Sequence, residues 1–559
     1  MKILIVGGVA GGATAAARLR RLDEKAEIIM FERGEYISYA NCGLPYYIGD
    51  EITDRDELTL QTPESFNARF NVDVRVQNEV LAIDREKKNI TALNLKTGKQ
   101  YEETYDFLVL SPGVTPVKPP IQGIDSNRIF TLRNIPDTFA IKDFINNQKP
   151  KTAVVVGGGF IGVEMAENLH NQGLKVTMVE MTDQILAPLD YDMACGVQRH
   201  IRSKGVELEL GNAVKAITDT GQTLKITLND AQIEADMMIM SVGVKPENIL
   251  AKNAGLELNE RGYIVTNDLM QTADPNIYAV GDAVEITDFI SQKKNTVPLA
   301  GPANKQGRIA ADNICGGNAK YTGTQGSSIL KVFDMTVAAT GLNEKTAKRF
   351  GVKYEKSFTV SGSHAGYYPG SFSMTIKTLF DPENGKILGA QITGIDGVDK
   401  RCDVIASAIR FGATAHDLTR LELCYAPPYS SAKDPVNMAG YVIENILKEK
   451  NKIFHWHDLE NIDKQNVTLL DVRTSQEFSL GAIPNFINIP VDNLRKRISE
   501  LDKKKPIYVT CAVGLRGYIA ARILLQNGFD AYNLSGGYTV WNSIKNGSAK
   551  HGGGEHFKN

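Results

Sequence analysis

The sequence predicts an α/β protein of several domains, and three observations support that fold class. A chain of 559 residues is longer than one hydrophobic core can organise. A unit of apolar strand, glycine-rich turn, helix and second strand begins at Lys2 and again at Thr152. A charged helix end at 443–452 separates a distinct final module from the rest of the chain. Repeated strand–helix alternation is typical of parallel sheets covered by helices.

The composition is that of an ordinary globular protein, with 42% hydrophobic and 23% charged residues. A net charge of −2 argues against nucleic acid or a membrane surface as a partner. No apolar run approaches the roughly 18 residues of a membrane span. Residues 1–6 run directly into glycines, which indicates a buried strand and not a signal peptide.

The six cysteines are isolated in the sequence and form no CxxC pair or metal-ligand spacing. We therefore expect no disulfide framework and no metal site, and a reducing cytoplasm is the simplest compartment. Any thiol chemistry must use single thiols. The candidates are Cys42 and Cys511, whereas Cys195, Cys315, Cys402 and Cys424 are expected to be inert packing residues.

The second repeat carries a full dinucleotide fingerprint. Gly157 permits the tight turn, Gly159 the close approach of a pyrophosphate, and Gly162 the packing of helix on strand. Glu180 ends the next strand, 18 residues past Gly162, where a carboxylate can accept a hydrogen bond from a ribose hydroxyl. No arginine follows it immediately, which favours NADH, although NADPH remains open.

The first repeat departs from this fingerprint, because valine stands where the middle glycine is expected. The run is Gly7-Gly8-Val9-Ala10-Gly11-Gly12. Glu32 ends the following strand, and far downstream a short strand ends in Gly281-Asp282. A strand that ends in this way places a carboxylate beside the ribityl and phosphate groups of a flavin dinucleotide.

Together these three parts resemble the FAD/NAD(P)-dependent disulfide reductase family over about residues 1–440. The resemblance implies FAD on the first repeat and a nicotinamide nucleotide on the second. The implied FAD residues are Gly7, Gly8, Val9, Ala10, Gly11, Glu32, Arg33, Val80, Ser111, Gly113, Asp282 and Ala300. The implied nicotinamide-nucleotide residues are Gly157, Gly159, Phe160, Ile161, Gly162, Glu180 and Gly243.

Cys42 is the candidate redox thiol. It lies in a shaped turn after the first repeat, and a position at a helix start would favour the thiolate. Relatives with a redox pair carry two cysteines with four residues between them, whereas positions 37 and 47 here are Ile37 and Tyr47. A lone thiol can cycle through sulfenic acid, or it can form a mixed disulfide or persulfide with a substrate. Peroxidases of the first kind carry a histidine in the first glycine loop, and this loop has none.

Formation of a mixed disulfide or persulfide on Cys42 is supported by a resemblance to coenzyme A-disulfide reductases. The resemblance lies in the segments 38–42, 364–370 and 424–430. In that family two tyrosines, matching Tyr367 and Tyr425, come from the partner subunit of a homodimer and approach the thiol. Tyrosine is neutral at pH 7 and still has a proton to give to a leaving thiolate. The resemblance also implies coenzyme A contacts for Thr14, Arg18, Arg21, Ser38, Asn41 and Arg69. From the residues alone, Arg18 and Arg21 are equally compatible with a solvated basic face.

In the final module, Cys511 follows an apolar strand and begins a short loop. Arg516 ends this loop at the start of a predicted helix. Backbone N–H groups in such a loop stabilise an anionic sulfur, and the arginine adds positive charge. The module resembles a rhodanese domain over about 90 residues, although Ala482 stands where a histidine is common. A catalytically inactive rhodanese fold used for docking is the alternative.

We therefore predict two Rossmann-like domains that bind FAD and NAD, an α+β dimerisation domain and a C-terminal α/β rhodanese domain. The expected ranges are 1–150 with 270–323 (FAD), 151–269 (NAD(P)H), 324–445 (dimerisation), 453–547 (rhodanese) and 548–559 (a disordered tail).

The predicted function is a flavin-dependent reduction of coenzyme A disulfide, coenzyme A persulfide or polysulfide by NAD(P)H, with sulfane sulfur supplied by the rhodanese domain. One alternative is an NADH oxidase or peroxidase that cycles through sulfenic acid. Another is a sulfur-carrier or redox-sensing protein.

Overall fold

A computed structural model describes residues 1–548 and divides the chain into two compact units. The first unit comprises Met1–Met181 and Asn212–Gly326, and the second comprises Thr182–Gly211 and the chain from Ser327 onward. The predicted disordered tail lies outside the described residues except for Ser548, whose backbone N–H donates to Ile544. Among residues 1–548, no helix is both long and apolar enough to cross a membrane.

The first unit is built on two parallel sheets, one for each sequence repeat. In spatial order, the strands of the first sheet are Ile277–Ala279, Phe107–Leu110, Lys2–Val6, Glu27–Glu32 and Asp73–Val76. The strands of the second, within this unit, are Lys175–Glu180, Thr152–Val156, Met237–Met240 and Ile129–Phe130. The central strands are apolar almost throughout because both faces of a parallel sheet are covered.

Antiparallel strands accompany each parallel sheet. They are Asn78–Asp84, Asn89–Asn94 and Gln100–Thr104 in one group, and Ala216–Asp219, Leu224–Thr227 and Gln232–Ala235 in another. The two-stranded pairs are Val114–Pro116 with Val244–Pro246, and Ile286–Thr287 with Lys294–Asn295. The helices of the unit are Ala10–Leu22, Leu44–Ile48, Pro63–Phe70, Ile135–Gln148, Phe160–Asn171, Ile249–Asn253 and Ala300–Ile314. Short 3-10 turns occupy Asn41–Gly43 and Asp56–Leu58.

The second unit contains the predicted α+β segment and the final module. Its antiparallel sheet has the order Ser328–Val332, Met335–Gly341, Ile387–Gly394, Ser373–Phe380 and Glu355–Gly362. Its parallel sheet has the order Lys452–Phe454, Ala531–Leu534, Ile507–Thr510, Thr468–Asp471 and Ile487–Asn488. The remaining strand is Glu207–Leu210, and the α-helices are Tyr191–Ser203, Glu344–Phe350, Val398–Arg410, Ala415–Arg420, Pro435–Leu447, Ser475–Ser479, Val491–Arg497, Leu515–Gln526 and Gly537–Gly547. The 3-10 helices are Trp456–Glu460 and Ile498–Glu500.

A buried ionic cluster ties the antiparallel sheet of the second unit to the helix Tyr191–Ser203. The fully buried ammonium group of Lys377 contacts three carboxylates, with Nζ 3.0 Å from Asp190 and 2.7 Å from Asp192. The third is Glu344. Buried charges persist only when they are paired, so each of these groups depends on the others.

The final module packs directly on the same antiparallel sheet. The hydroxyl of Ser535 accepts a hydrogen bond from the backbone N–H of Phe358 at 3.0 Å. At the end of the last helix, the carbonyl oxygen of Gly547 accepts from Gln198 at 2.9 Å and Arg202 at 2.7 Å. These contacts fix the module against its neighbour at two separate places.

Candidate active site

The first glycine turn depends on close contacts that only glycine allows. Gly7 has a φ of +100°, and a Cβ there would overlap the carbonyl oxygen of Ser111. A Cβ on Gly12 would overlap the carbonyl oxygen of Gly7. The helix that follows, Ala10–Leu22, begins without a side-chain cap, which leaves its N-terminal N–H groups suited to an anion.

The second glycine turn has the same geometry. Gly157 has a φ of +104° and lies against the carbonyl of Ser241, and Gly162 lies against the carbonyl of Gly157. Within residues 1–548, and leaving aside the adjoining backbone, no atom lies within 4 Å of the position that a Cβ on Gly159 would occupy. The helix Phe160–Asn171 again begins without a side-chain cap. This open approach to an uncapped helix fits a pyrophosphate.

An acidic residue closes each turn. The carboxylate of Glu32 accepts from the backbone N–H of Gly8 at 3.0 Å, and that of Glu180 accepts from Gly158 at 2.7 Å. In both cases the acid ends the second strand of the repeat, which is where such units bind a ribose hydroxyl. The two repeats therefore share the same backbone turn and the same hydrogen bond from a glycine N–H to the acid.

The late Gly-Asp motif lies at the same sheet edge as the first turn, because the strand Ile277–Ala279 pairs with Phe107–Leu110. Burial raises the pKa of Asp282 to about 6. The neighbouring Ser111 donates its N–H to Val6 at 2.8 Å. Ala300 begins the helix Ala300–Ile314, which has no side-chain cap either. A flavin dinucleotide fits this combination of a carboxylate and free helix N-termini.

The other predicted cofactor residues occupy varied places. Val80 is buried at a register shift in its strand, and Arg33 is exposed and pairs with Glu247 at 2.9 Å. Gly113 and Gly243 have positive φ angles and open space around them. Phe160 and Ile161 form the first turn of the helix after the second glycine turn, and Ile161 is exposed.

Cys42 lies in the 3-10 turn Asn41–Gly43, directly before the helix Leu44–Ile48. The thiol is exposed, yet its surroundings raise its pKa, first through partial burial and then through the negative charges of Glu164 and Asp282. We expected this position to favour the thiolate. That expectation is wrong, because the surrounding residues favour the protonated thiol. Partial burial disfavours the charged thiolate, and the negative charges of Glu164 and Asp282 oppose its formation further.

Glu164 is a site residue that the sequence did not identify. It lies on the helix Phe160–Asn171, and burial raises its pKa to about 7, while a hydrogen bond from Tyr46 acts in the opposite direction. The hydroxyl of Tyr46 is 3.4 Å from its carboxylate. Tyr46 follows Cys42 by four residues and lies on the helix Leu44–Ile48. Tyr46 and Glu164 therefore reach the vicinity of the thiol from different helices. The only available signal was the glutamate's position two residues after Gly162.

The predicted coenzyme A residues form two groups. On the helix Ala10–Leu22, Thr14 donates to Asn304 at 2.7 Å, and Arg18 donates to Asp312 at 2.7 Å. Arg18 is thus paired with a carboxylate, while Arg21 is exposed.

The second group lies around the Cys42 turn. The Ser38 carbonyl accepts from the backbone N–H of Leu60, and Ser38 has a φ of +43°. Asn41 and Arg69 are exposed.

Tyr367 and Tyr425 come together although they lie on separate loops. Their hydroxyl oxygens are 2.9 Å apart, and Tyr367 is 76% exposed. Its pKa is raised by the hydrogen bond to Tyr425. Two exposed phenols joined by a hydrogen bond form a proton donor suited to a leaving thiolate.

In the final module, Cys511 directly follows the strand Ile507–Thr510 and is almost completely buried. Its sulfur accepts from the backbone N–H of Gly514 at 3.1 Å. Arg516 donates to both carboxylate oxygens of Glu477, at 2.6 and 2.7 Å. The sequence pointed to Cys511 and Arg516 but assigned no role to Glu477, whose partner is 39 residues away.

The remaining cysteines are free thiols in different settings. Cys195 and Cys402 are buried and Cys315 is half-buried, as expected for packing residues. Cys424 is exposed, so the expectation that it packs in the interior is wrong. It lies in a loop after the helix Ala415–Arg420, where the chain runs over the surface.

Three family models match the chain. Residues 1–307 match the model described as pyridine nucleotide-disulphide oxidoreductase, and residues 327–435 match the dimerisation domain of the same family. Residues 459–544 match the rhodanese-like domain.

Known proteins resemble the chain over most or all of its length. A coenzyme A disulfide reductase of Staphylococcus aureus is 38% identical over 442 residues, which cover 79% of this chain and 99% of that protein. The crystal structure of reduced CoADR-RHD from Bacillus anthracis is 51% identical, with a TM-score of 0.95 and coverage of 97% and 98% of the two chains. A NAD-dependent persulfide reductase from A. fulgidus is 36% identical, with a TM-score of 0.91 and coverage of 97% and 100%.

Proposed function

The chain belongs to the pyridine nucleotide-disulphide oxidoreductase family, and we propose that it is a flavin-dependent reductase of coenzyme A disulfide, coenzyme A persulfide or polysulfide. Cys42 is the reducing thiol, and the rhodanese domain supplies sulfane sulfur through Cys511. One observation carries this proposal. Besides burial, the charges of Glu164, on the helix of the second repeat, and Asp282, in the late Gly-Asp motif, both raise the pKa of the single thiol of Cys42. A thiol that lies near residues of both nucleotide-binding sites is suited to receive electrons that originate from a nicotinamide.

Each glycine turn binds a different cofactor. FAD binds the first turn with Glu32 and Asp282, and NADH binds the second with Glu180. The carboxylate of Glu180 repels a 2′-phosphate, and the next residue, Met181, is exposed and uncharged, so NADH is preferred over NADPH. A flavin held there would supply the two-electron chemistry that links NADH to the oxidised sulfur of Cys42.

The protein's own residues carry out the sulfur chemistry. The Cys42 thiolate attacks one sulfur of the substrate, the sulfur–sulfur bond breaks, and a mixed disulfide or persulfide forms on Cys42. The departing thiolate or sulfide takes a proton, which Tyr367 or Tyr425 of the partner subunit supplies. Arg21 and Arg69, which are exposed, bind the phosphates of coenzyme A. Arg18 leaves its ion pair with Asp312 and binds a phosphate of the ligand instead.

The assembly is a homodimer that functions in the cytoplasm with small-molecule thiols as its partners. The predicted division into FAD, NAD(P)H, dimerisation and rhodanese domains forms part of this proposal. So does the relay in which Cys511 takes up sulfane sulfur and passes it, through coenzyme A, to Cys42.

An anaerobic assay of NADH oxidation against a panel of acceptors tests the function. The panel contains coenzyme A disulfide, coenzyme A persulfide, glutathione persulfide and polysulfide. We expect turnover with at least one coenzyme A species and its loss by at least about a thousandfold in Cys42→Ser, because the nucleophile is gone. Cys315→Ser is the matched control and keeps the activity.

Other outcomes identify other functions. Rapid NADH consumption with oxygen or peroxide alone would indicate an oxidase or peroxidase. Negligible turnover with every acceptor would indicate a carrier or sensor. If Cys511→Ser reduces polysulfide as fast as the unaltered protein, the relay is wrong even though the reductase stands.

A further inference from the structure

Arg20 is a buried arginine that lies between two of the coenzyme A candidates, Arg18 and Arg21, on the helix Ala10–Leu22. It is 6% exposed, whereas Arg21 is exposed. A guanidinium group that is removed from water needs partners for its charge and for its five N–H groups. The sulfur chemistry proposed for Cys42 does not use Arg20.

Every hydrogen bond of the Arg20 guanidinium goes to a backbone carbonyl oxygen. Two of the bonds reach the end of the helix Pro63–Phe70, where Nε donates to Phe70 at 3.0 Å and Nη2 donates to Asn71 at 2.8 Å. The other three go to the turn that follows the helix of Arg20 itself. Their acceptors are Asp23 at 3.0 Å, Glu24 at 2.7 Å and Ala26 at 2.8 Å. One planar group thus ties two segments of the chain together.

The two segments carry the exposed arginines that are assigned to the phosphates of coenzyme A. Arg21 follows Arg20 in the last turn of its helix, and Arg69 lies in the last turn of the helix Pro63–Phe70, next to Phe70. The bonds from Arg20 therefore fix the backbone within one residue of each exposed arginine. Two arginines can bind the phosphates of one ligand together only if their helices keep a fixed separation.

Arg20 also brings a charge that no carboxylate cancels. Within the described residues 1–548 it makes no ion pair, because all its hydrogen-bond acceptors are neutral carbonyl groups. The last carbonyl groups of a helix leave a partial negative charge at its C-terminus, and the C-termini of two helices converge on Arg20. Those ends alone would repel a phosphate group. The guanidinium offsets their negative charge.

We propose that Arg20 is a positioning residue for coenzyme A. It holds the two helix ends at the separation at which Arg21 and Arg69 bind the phosphates together, and it offsets the negative charge of those ends. This inference rests on the proposed function, in which coenzyme A is part of the substrate. A guanidinium group suits the task because its N–H groups diverge in one plane, whereas an ammonium group donates from a single point.

Binding of coenzyme A to the full-length Cys42→Ser protein tests the proposal without turnover. Serine at position 42 prevents a covalent bond between the protein and the ligand. We expect Arg20→Met to raise the Kd of coenzyme A at least about tenfold, because the phosphate contacts are misplaced and a positive charge is lost. Isothermal titration calorimetry measures the Kd.

Steady-state kinetics with Cys42 intact separate positioning from general damage to the fold. Coenzyme A disulfide and pantethine share the disulfide and the adjoining chain, but only coenzyme A disulfide carries phosphates. Arg20→Met should raise KM for coenzyme A disulfide at least about tenfold and change kcat less than about threefold. The value of kcat/KM for pantethine should also change less than about threefold. Equal losses with both substrates would overturn the inference.

A second variant at the same position tests the geometry separately from the charge. Arg20→Lys keeps the positive charge but cannot reach both helix ends, so its Kd for coenzyme A should exceed that of the parent protein at least about threefold. If it binds as tightly as the parent, the positioning role is wrong. Thermal unfolding shows which variants are folded at the assay temperature. If Arg20→Met does not fold, Arg20→Lys decides the test.

Arg128→Met is the matched control. It removes a half-buried arginine that donates to the backbone carbonyls of Asp236 at 3.1 Å and Gly221 at 3.0 Å, in the second repeat. The Kd of coenzyme A should not change in this variant. If Arg20→Met and Arg128→Met bind coenzyme A equally well, Arg20 has no part in its recognition.

The same measurements separate this inference from the proposed function. If the parent protein binds coenzyme A and the variants at position 20 bind it equally well, the inference fails and the reductase stands. If the parent does not bind coenzyme A, and NADH does not reduce coenzyme A disulfide when Cys42 is intact, the proposed function is wrong and the inference fails with it.

Discussion

The hydroxyl oxygens of Tyr367 and Tyr425 lie 2.9 Å apart, although 58 residues separate them in the chain. Each phenol is thus held in place by the other while both remain exposed. The pair can release one proton and keep a hydrogen bond to the remaining phenolate.

The first prediction concerns this pair. Tyr367→Phe or Tyr425→Phe should lower kcat for coenzyme A disulfide by about 10²-fold or more, because the leaving thiolate loses its proton donor. Each is measured by anaerobic NADH oxidation at saturating substrate. Tyr429→Phe, at another exposed tyrosine, is the control and should change kcat little. Unchanged kcat in both variants would remove the pair from the mechanism.

The second prediction concerns the protonation of Cys42. Because the charge of Glu164 raises the pKa of the thiol, Glu164→Gln should lower it and move the pH profile of alkylation to lower pH. The pKa of Glu164 is about 7, so the difference between variant and unaltered protein should shrink as the pH falls below 7. Iodoacetamide labelling of Cys42, followed by mass spectrometry, measures the profile. The control is Glu86→Gln, and coincident profiles for all three proteins would contradict the assigned coupling.

The third prediction concerns the buried cluster around Lys377. Lys377→Met leaves the carboxylates of Asp190, Asp192 and Glu344 within 4.8 Å of one another without their ammonium partner. We expect a loss of about 3–5 kcal/mol in stability at pH 7, as for other broken buried pairs. Thermal unfolding measures it. Lys353→Met, at an exposed ion pair, is the control and should cost less than about 1 kcal/mol.

The pH dependence of that loss has a definite sign. Burial opposes ionisation of Glu344, but Lys377 and Lys356 outweigh it and hold its pKa at about 2. A depressed carboxyl pKa contributes stability that is present above the unfolded value of about 4.3 and is lost as the pH falls towards 2. Without Lys377 the carboxylates take up protons more readily, so the deficit of Lys377→Met should narrow on acidification. A deficit independent of pH would refute the electrostatic explanation.

The fourth prediction concerns the choice of nicotinamide nucleotide. Glu180→Ala removes the carboxylate that the backbone N–H of Gly158 binds at 2.7 Å. The ratio of kcat/KM for NADH to that for NADPH should fall by about tenfold or more, because a ribose hydroxyl partner is lost and a repulsion is removed. Steady-state kinetics with both nucleotides measure the ratio. Glu260→Gln is the control, and an unchanged ratio would show that Glu180 does not set the preference.

Much of the candidate site is visible in the sequence because local backbone geometry leaves local signals. Gly7 and Gly157 adopt positive φ angles that favour glycine, and each follows an apolar strand of five residues. Cys511 and Arg516 lie within six residues of each other in one loop. The family resemblance built on such segments is confirmed by the matched family models.

The residues that the sequence missed act through distant partners. Glu164 reaches the vicinity of Cys42 only because two elements of the first unit converge, and its position two residues after Gly162 does not by itself predict that contact. Glu477 lies in the first turn of a helix that Thr474 caps, yet its bidentate pairing with Arg516 requires the folded sheet. No periodicity predicts which carboxylate faces which cation.

The sequence by itself determined the α/β class, the two nucleotide-binding repeats, the lone thiol of Cys42 and the rhodanese-like loop. Only the tertiary structure decided the electrostatic character of these sites. It showed that burial and the charges of Glu164 and Asp282 raise the pKa of Cys42, that Glu477 forms an ion pair with Arg516, and that Cys424 is exposed. The physical reason is one of range. Backbone conformation depends on neighbouring residues, whereas a pKa depends on every charge and every buried surface that folding brings within a few ångströms.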